Sequence, residues 1–211
     1  MDLPFKKAVK AENEKYILAK GAGICDWLPV LETPELRSME NVKGRMSVMN
    51  ALINIAFEAP VGIIRQWIEA QGLQQHLSGA EQLILAKATA NDGEMLQLHW
   101  YLESLWALMW ATGLTDDFAP DRHCEDYMAS LLPNLEQGDN NEKIDELAHM
   151  RSAEDLYWQL DLYYRIHWFV ADEHLKGRET GFNAGLIIER RRALEWLFNR
   201  SSDWDDVDMN T

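Results

Sequence analysis

Apolar residues recur at intervals of three and four over most of this chain, the spacing of helices that bury one face. Residues 4–19 form the first such segment, of modest amphipathicity, and "GAGICDWLP" follows as a loop. Thr33-Pro34 and Ser38 are helix-start signals. From Met39 to Glu58, Val42, Met46, Met49, Ile53 and Ala56 share one face. Pro60 ends that helix and opens the next, which carries Ile64, Trp67 and Ile68 and stops at Gly72. Ser78 and Glu81 have capping-box spacing ahead of "QLILAKA". After the break "NDG", the run "EMLQLHWYLESLWALMWATG" gives about five turns of helix ending at Gly113. Asp121 is expected to cap a shorter helix through Leu132, closed by Pro133. "NLEQGDNNEK" is polar and short, a surface loop rather than a domain boundary. A long helix follows Ser152 up to Gly177, and Asn183 caps "AGLIIERRRALEWLFNR". In the tail "SSDWDDVDMNT", Trp204 is expected to pack back on the core, leaving Asp203, Asp205, Asp206 and Asp208 in water.

No stretch alternates with β-branched enrichment, and no period repeats. The pattern predicts an all-α fold, a single compact multi-helix domain of about seven or eight helices. Residues 1–36 read as an N-terminal helix and loop packed on a domain of residues 37–211.

Charge interrupts the most apolar helix. Between Leu156 and Ala171 lie 16 positions, and only Gln159, Asp161, Arg165 and His167 are not apolar or aromatic. A helix apolar nearly all round is central. Glu154, Trp158, Asp161, Arg165 and Trp168 fall on one stripe, with Asp161 and Arg165 spaced to pair. In the preceding long helix, Leu96, Trp100, Glu103, Ala107 and Trp110 repeat the arrangement. In the last, Glu189 runs with Ala193 and Trp196, and Arg190 with Leu194 and Leu197. Arg45 borders the apolar face of the second helix, and Arg151 precedes the long one. A buried charge without a partner costs several kcal/mol. The expectation is therefore an internal network joining three or four helices: Glu103, Glu154, Asp161 and Glu189 against Arg45, Arg151, Arg165 and Arg190. The network either fixes helix register or lines a pocket, with an acid or His167 as general base and an arginine holding an anion.

Composition supports a folded chain. The chain of 211 residues is 47% hydrophobic and holds nine tryptophans, read here as core mass. Its net charge is −15, which argues against nucleic acid and anionic membrane as partners and is compatible with a basic protein partner. Cys25 and Cys124 belong to no C-x-x-C, as suits a reducing compartment. The N-terminal residues lack the apolar core of a signal peptide, and charge interrupts every run before membrane-spanning length, so a cytoplasmic location is expected.

No phosphate-loop, dinucleotide, nucleophile-elbow or H-E-x-x-H motif occurs. "DRHCEDY" gathers His123, Cys124, Glu125 and Asp126, but neighbours in sequence rarely aim at one metal. "DWDDVDMNT" lacks the glycine and closing glutamate of a calcium loop. No cofactor and no metal are expected.

Four segments together resemble one bacterial family, a domain of unknown function numbered 4272: "RSMENVKGR", "LESLWALMWATGL", "MRSAEDLYWQLDLYYRIHW" and "IIERRRALEWL…WDDVDMNT". The resemblance spans about residues 37–211. Family-like positions include Arg37, Arg45, Glu103, Asp161, Arg165, Glu189, Arg190, Trp204 and Thr211. Met209-Asn210 departs from the family, which more often has an acid before the closing threonine. The resemblance implies a bacterial cytosolic protein with an accessory or immunity-like role and lends no catalytic residue. Two functions follow as expectations. The first is a non-enzymatic acidic binding protein that engages a protein partner in an immunity or antitoxin-like role; a homo-oligomer is compatible with it. The alternative is an enzyme acting on a small polar or anionic substrate through the Glu/Asp–Arg–His cluster.

Overall fold

Short polar side chains start nearly every long helix by taking up the backbone N–H groups that the first turn leaves unpaired. A computed structural model describes residues 1–211 except Pro34, Ala148, Ser201 and Thr211. Asp2 caps α1 (Leu3–Ala19) and Ser38 caps α2 (Met39–Ala56). Pro60 precedes α3 (Val61–Ala70). Ser78 opens α4 (Gly79–Leu85) and Asn91 opens α5 (Asp92–Ala111), each in a capping box with the glutamate three residues on. The short α6 (Glu142–Asp145) begins at the end of the stretch expected to be loop. Ser152 caps α7 (Ala153–Leu175) and Asn183 caps α8 (Ala184–Phe198). The Thr33-Pro34 signal falls partly on an undescribed residue; the helix itself starts after Ser38. At the end of α5, Gly113 takes φ +75°, and the N–H of Leu114 returns to the carbonyl of Met109. Only glycine adopts that left-handed turn without strain.

The long helices form a series of neighbours. α1 packs on α7, α7 on α8, α8 on α5, α5 on α2, and α2 on α3. α5 lies inside, and every residue from Glu103 to Ala111 is buried. α7 is enclosed on most sides, with Leu160 to Ile166 all buried. The described residues form helices and turns, with a single isolated bridge between Glu35 and Asn199. The fold is all-α. No described helix is long and apolar enough to cross a membrane.

Three expectations are corrected. No helix runs from Asp121 to Leu132; a 3-10 turn covers only Asp126–Leu131. The backbone before it has one bond to itself, from the Arg122 N–H to the Ala119 carbonyl, and is otherwise held by buried side chains. Arg190 donates to the carbonyls of Ala119 and Arg122, and the Cys124 N–H donates to Glu103. Asp121 pairs with Lys20 rather than capping a helix. The "NLEQGDNNEK" stretch is not plain loop, since it holds a 3-10 turn at Leu135–Gln137 and enters α6. Nor are all the tryptophans core: Trp27 is 74% exposed and Trp158 37%. Trp27 packs edge-on to Trp168 at 6.2 Å.

Candidate functional site

The expected network is divided into separate clamps, each tying two or three elements. In the first, the side chain of Asp161 on α7 accepts from Arg165 Nε and Nη2 at 2.9 and 2.7 Å, and from Asn13 of α1 at 3.0 Å. Arg165 also reaches Glu14 and the carbonyl of Pro29, which fastens the 20–31 loop and α1 to α7. Both partners are buried, so the attraction is little screened by solvent.

The second clamp joins α5 to α8. Glu103 Oε2 accepts from Arg190 Nε at 2.8 Å, and its Oε1 faces His123 Nδ1 at 2.7 Å. Arg190 also donates to the Tyr163 hydroxyl and lies over the Phe118 ring. Burial and the Glu103 charge push the Cys124 thiol up to about 11, away from the thiolate that nucleophilic chemistry needs. Glu189, the residue before Arg190 on α8, accepts from Ser104 and pairs with Arg192; burial raises its pKa.

The third clamp contains a partner that sequence reasoning read only as a helix cap. Arg45 of α2 meets Glu81 of α4 with two parallel bonds, at 2.7 and 2.5 Å. Glu81 also accepts from Tyr101 and from the N–H of Ser78. The signal was present: a capping-box glutamate beside apolar residues still has an oxygen to spend.

Not every expected member belongs to these clamps. Glu154 is exposed in the first turn of α7, where a carboxylate suits the helix dipole. Arg151 meets Asp116, which is 96% exposed, and donates to the carbonyls of Trp110 and Thr115. Its role is to close the end of α5. His167 does not join Asp161 and Arg165, its neighbours in sequence. Its Nδ1 lies 2.6 Å from Arg191, whose other bonds go to Glu195 and to the carbonyls of Met209 and Asn210. Burial first and the Arg191 charge second hold His167 down at about 4, so at neutral pH its ring is uncharged and accepts. Among the described residues no group of three or more His, Cys, Asp or Glu side chains is placed to hold a metal ion.

A family match accompanies this geometry. The model for the Domain of unknown function (DUF4272) matches residues 10–207. The chain belongs to the DUF4272 family. The match takes in most of α1 as well as the tail to Val207, the two ends that the Asp161 and Arg45 clamps hold. No match is found among curated proteins or among solved structures.

With the internal acids spent on arginines, the surface feature that stands out is a groove of about 440 Å³. Its floor is Ile53 and Phe57 from the end of α2, Leu102 of α5, and Met128, Leu132 and Leu135 from the α5–α7 connection. Its rim is acidic: Glu125, Asp126 and Glu136. Phe57 is 62% exposed and Tyr127, beside the rim, 47%. The acids come from one segment. Between Leu114 and Leu147 the chain has ten acidic residues and two basic ones, which is more than half of the net charge of −15. Asp126 and Glu136 have no ion-pair partner among the described residues, whereas Glu125 lies 3.8 Å from Arg122. Charge density along residues 114–147 was legible in the sequence; the exposed Phe57 wall was not, because its position follows from where α2 ends.

Proposed function

We propose that the chain is a non-enzymatic binding protein that engages a basic protein partner, in an immunity or antitoxin-like role, through the acid-rimmed groove of the α5–α7 connection. The observation that carries this reading is the pairing of an apolar groove, flanked by the exposed Phe57 ring, with the unpartnered rim acids Asp126 and Glu136. A basic amphipathic segment satisfies both: its apolar face covers Ile53, Phe57 and Leu135, and its lysines or arginines meet Asp126 and Glu136. The enzyme alternative draws less support. Glu103, Asp161 and Glu189 are bonded within the fold, and the thiol next to His123 is held protonated.

The test uses a synthetic helical peptide of leucines and lysines and a matched pair of variants. One reverses three rim acids (Glu125→Lys, Asp126→Lys, Glu136→Lys). The other reverses three exposed acids elsewhere (Glu12→Lys, Asp26→Lys, Glu32→Lys), so that both carry the same net charge. The reading expects the rim variant to lose affinity on the order of tenfold or more, with a shallower salt dependence, while the matched variant loses far less. Equal losses would assign binding to overall charge and remove the groove from the account.

A further inference from the structure

A second cavity, of about 280 Å³, lies between α2, the 3-10 turn at Gln74–His76, the end of α8 and the tail. In a chain with a large excess of acids its lining has the opposite sign. Arg37, Arg45 and Arg200 face it, against the one carboxylate of Asp203.

Each arginine stands there in a different state. Arg45 is 2% exposed. Its two terminal nitrogens are engaged by Glu81 and the His76 carbonyl, but its Nε, also buried, has no hydrogen-bond partner among the described residues. Arg37 stacks on the Trp196 ring at 4.1 Å. It donates Nε to the Trp196 carbonyl and Nη2 to the carbonyls of Asn199 and Ser202. None of these acceptors carries a charge. Arg200 is exposed and has no hydrogen bond or ion pair among the described residues. Asn41 and Gln75 add neutral donors at the rim. The wall is completed by the His76 ring, which lies so close to α2 that a Cβ at Gly44 would sit 2.3 Å from it.

Arg37 and Arg200 form no ion pair among the described residues, although the Asp203 charge acts on Arg37; this cationic lining suits an oxyanion carrying more than one negative charge. The planar fork of arginine matches phosphate oxygens in pairs. The cavity is small for a ligand site, enough to hold phosphate on a short organic stem. We propose that this cavity binds a small phosphate-bearing ligand, with Arg200 and Arg37 holding the phosphate beside the buried Arg45 guanidinium. The proposal is independent of the groove, from which it shares no lining residue.

The experiment follows the arginine Nε–H signals of the ¹⁵N-labelled protein at constant ionic strength. Inorganic phosphate, glycerol 3-phosphate and acetate are added in separate titrations. The expected result is a saturable movement of the Arg200 and Arg37 signals with both phosphates. Tighter binding of the ester assigns the ligand to phosphomonoesters; equal binding assigns it to free phosphate. Arg200→Gln, at an exposed position, keeps the melting temperature and raises the dissociation constant on the order of tenfold. Three results would each overturn the proposal: no saturable movement at tens of millimolar phosphate, acetate binding as tightly as phosphate, or unaltered phosphate binding in Arg200→Gln.

Discussion

Arg45 and Glu81 face each other through two parallel hydrogen bonds, and neither side chain is more than 2% exposed. Their attraction joins α2 to α4, and Tyr101 of α5 bonds the same carboxylate. The aromatic tail residue Trp204 covers the guanidinium at 4.4 Å. Losing one member leaves the other charged and out of water. Arg45→Met is therefore expected to cost about 3–5 kcal/mol in urea unfolding. Arg178→Gln breaks an exposed pair with Glu173 and is expected to leave the midpoint where it is. Equal effects of the two substitutions would mean that burial does not set the strength of these pairs.

Trp204 lies between Tyr101 and Trp196, its ring centroid 6.0 and 5.9 Å from theirs, and it is 4% exposed. Removing so large a buried side chain leaves a cavity. Trp204→Ala is expected to destabilise by about 3–5 kcal/mol and to increase hydrogen exchange along residues 203–207 before the rest of the chain. Exchange that rises uniformly would show that the tail is not a separate clasp.

These two cases show how much of the protein is legible before its coordinates. Helix starts and stops are local, so Ser38, Ser78, Ser152, Asn183 and Gly113 could be read directly. Trp204 was readable because a lone large aromatic among acids has little reason to stay in water. Partner choice is not local. Glu81 looks like a capping residue until α2 supplies Arg45, and Glu154 shares a stripe with Asp161 yet lies at the exposed start of α7. The missing Asp121–Leu132 helix has the same origin: Arg190 and Glu103, distant in sequence, take the backbone groups that a helix would have used.

Gly44 marks a close approach. A Cβ there would lie 2.3 to 2.4 Å from three atoms of the His76 ring. Gly44→Ala must displace that ring and the turn that bears it. The expected cost is about 1–3 kcal/mol, despite the gain in helix propensity. A stabilised variant would show that the ring swings aside freely.

His167 gives a pH dependence with a definite sign. Its pKa falls from 6.5 to about 4 on folding, so below pH 6.5 the unfolded chain binds a proton that the folded chain refuses. The contribution is present above pH 6.5 and is lost progressively as the pH falls from there toward 4. His167→Gln keeps an acceptor for Arg191 and removes this titration. Urea midpoints at pH 7 and pH 4.5 are expected to differ less in the variant than in the parent chain. A difference of the same size in both would place the acid sensitivity elsewhere, with Glu189 and Glu195 excluded as its source. Burial raises both of their pKa values, and a raised carboxylate adds stability in acid.

Everything proposed for the surface assumes that the internal acids serve the arginines they touch. A double-mutant cycle on Glu103 and Arg190 tests that most directly. Glu103→Gln and Arg190→Met are expected to cost about 3–5 kcal/mol each in urea unfolding, and the double variant less than their sum by about 1–3 kcal/mol. Costs that simply add, or a Glu103→Gln chain as stable as the parent, would contradict the account and return Glu103 to the candidates for chemistry.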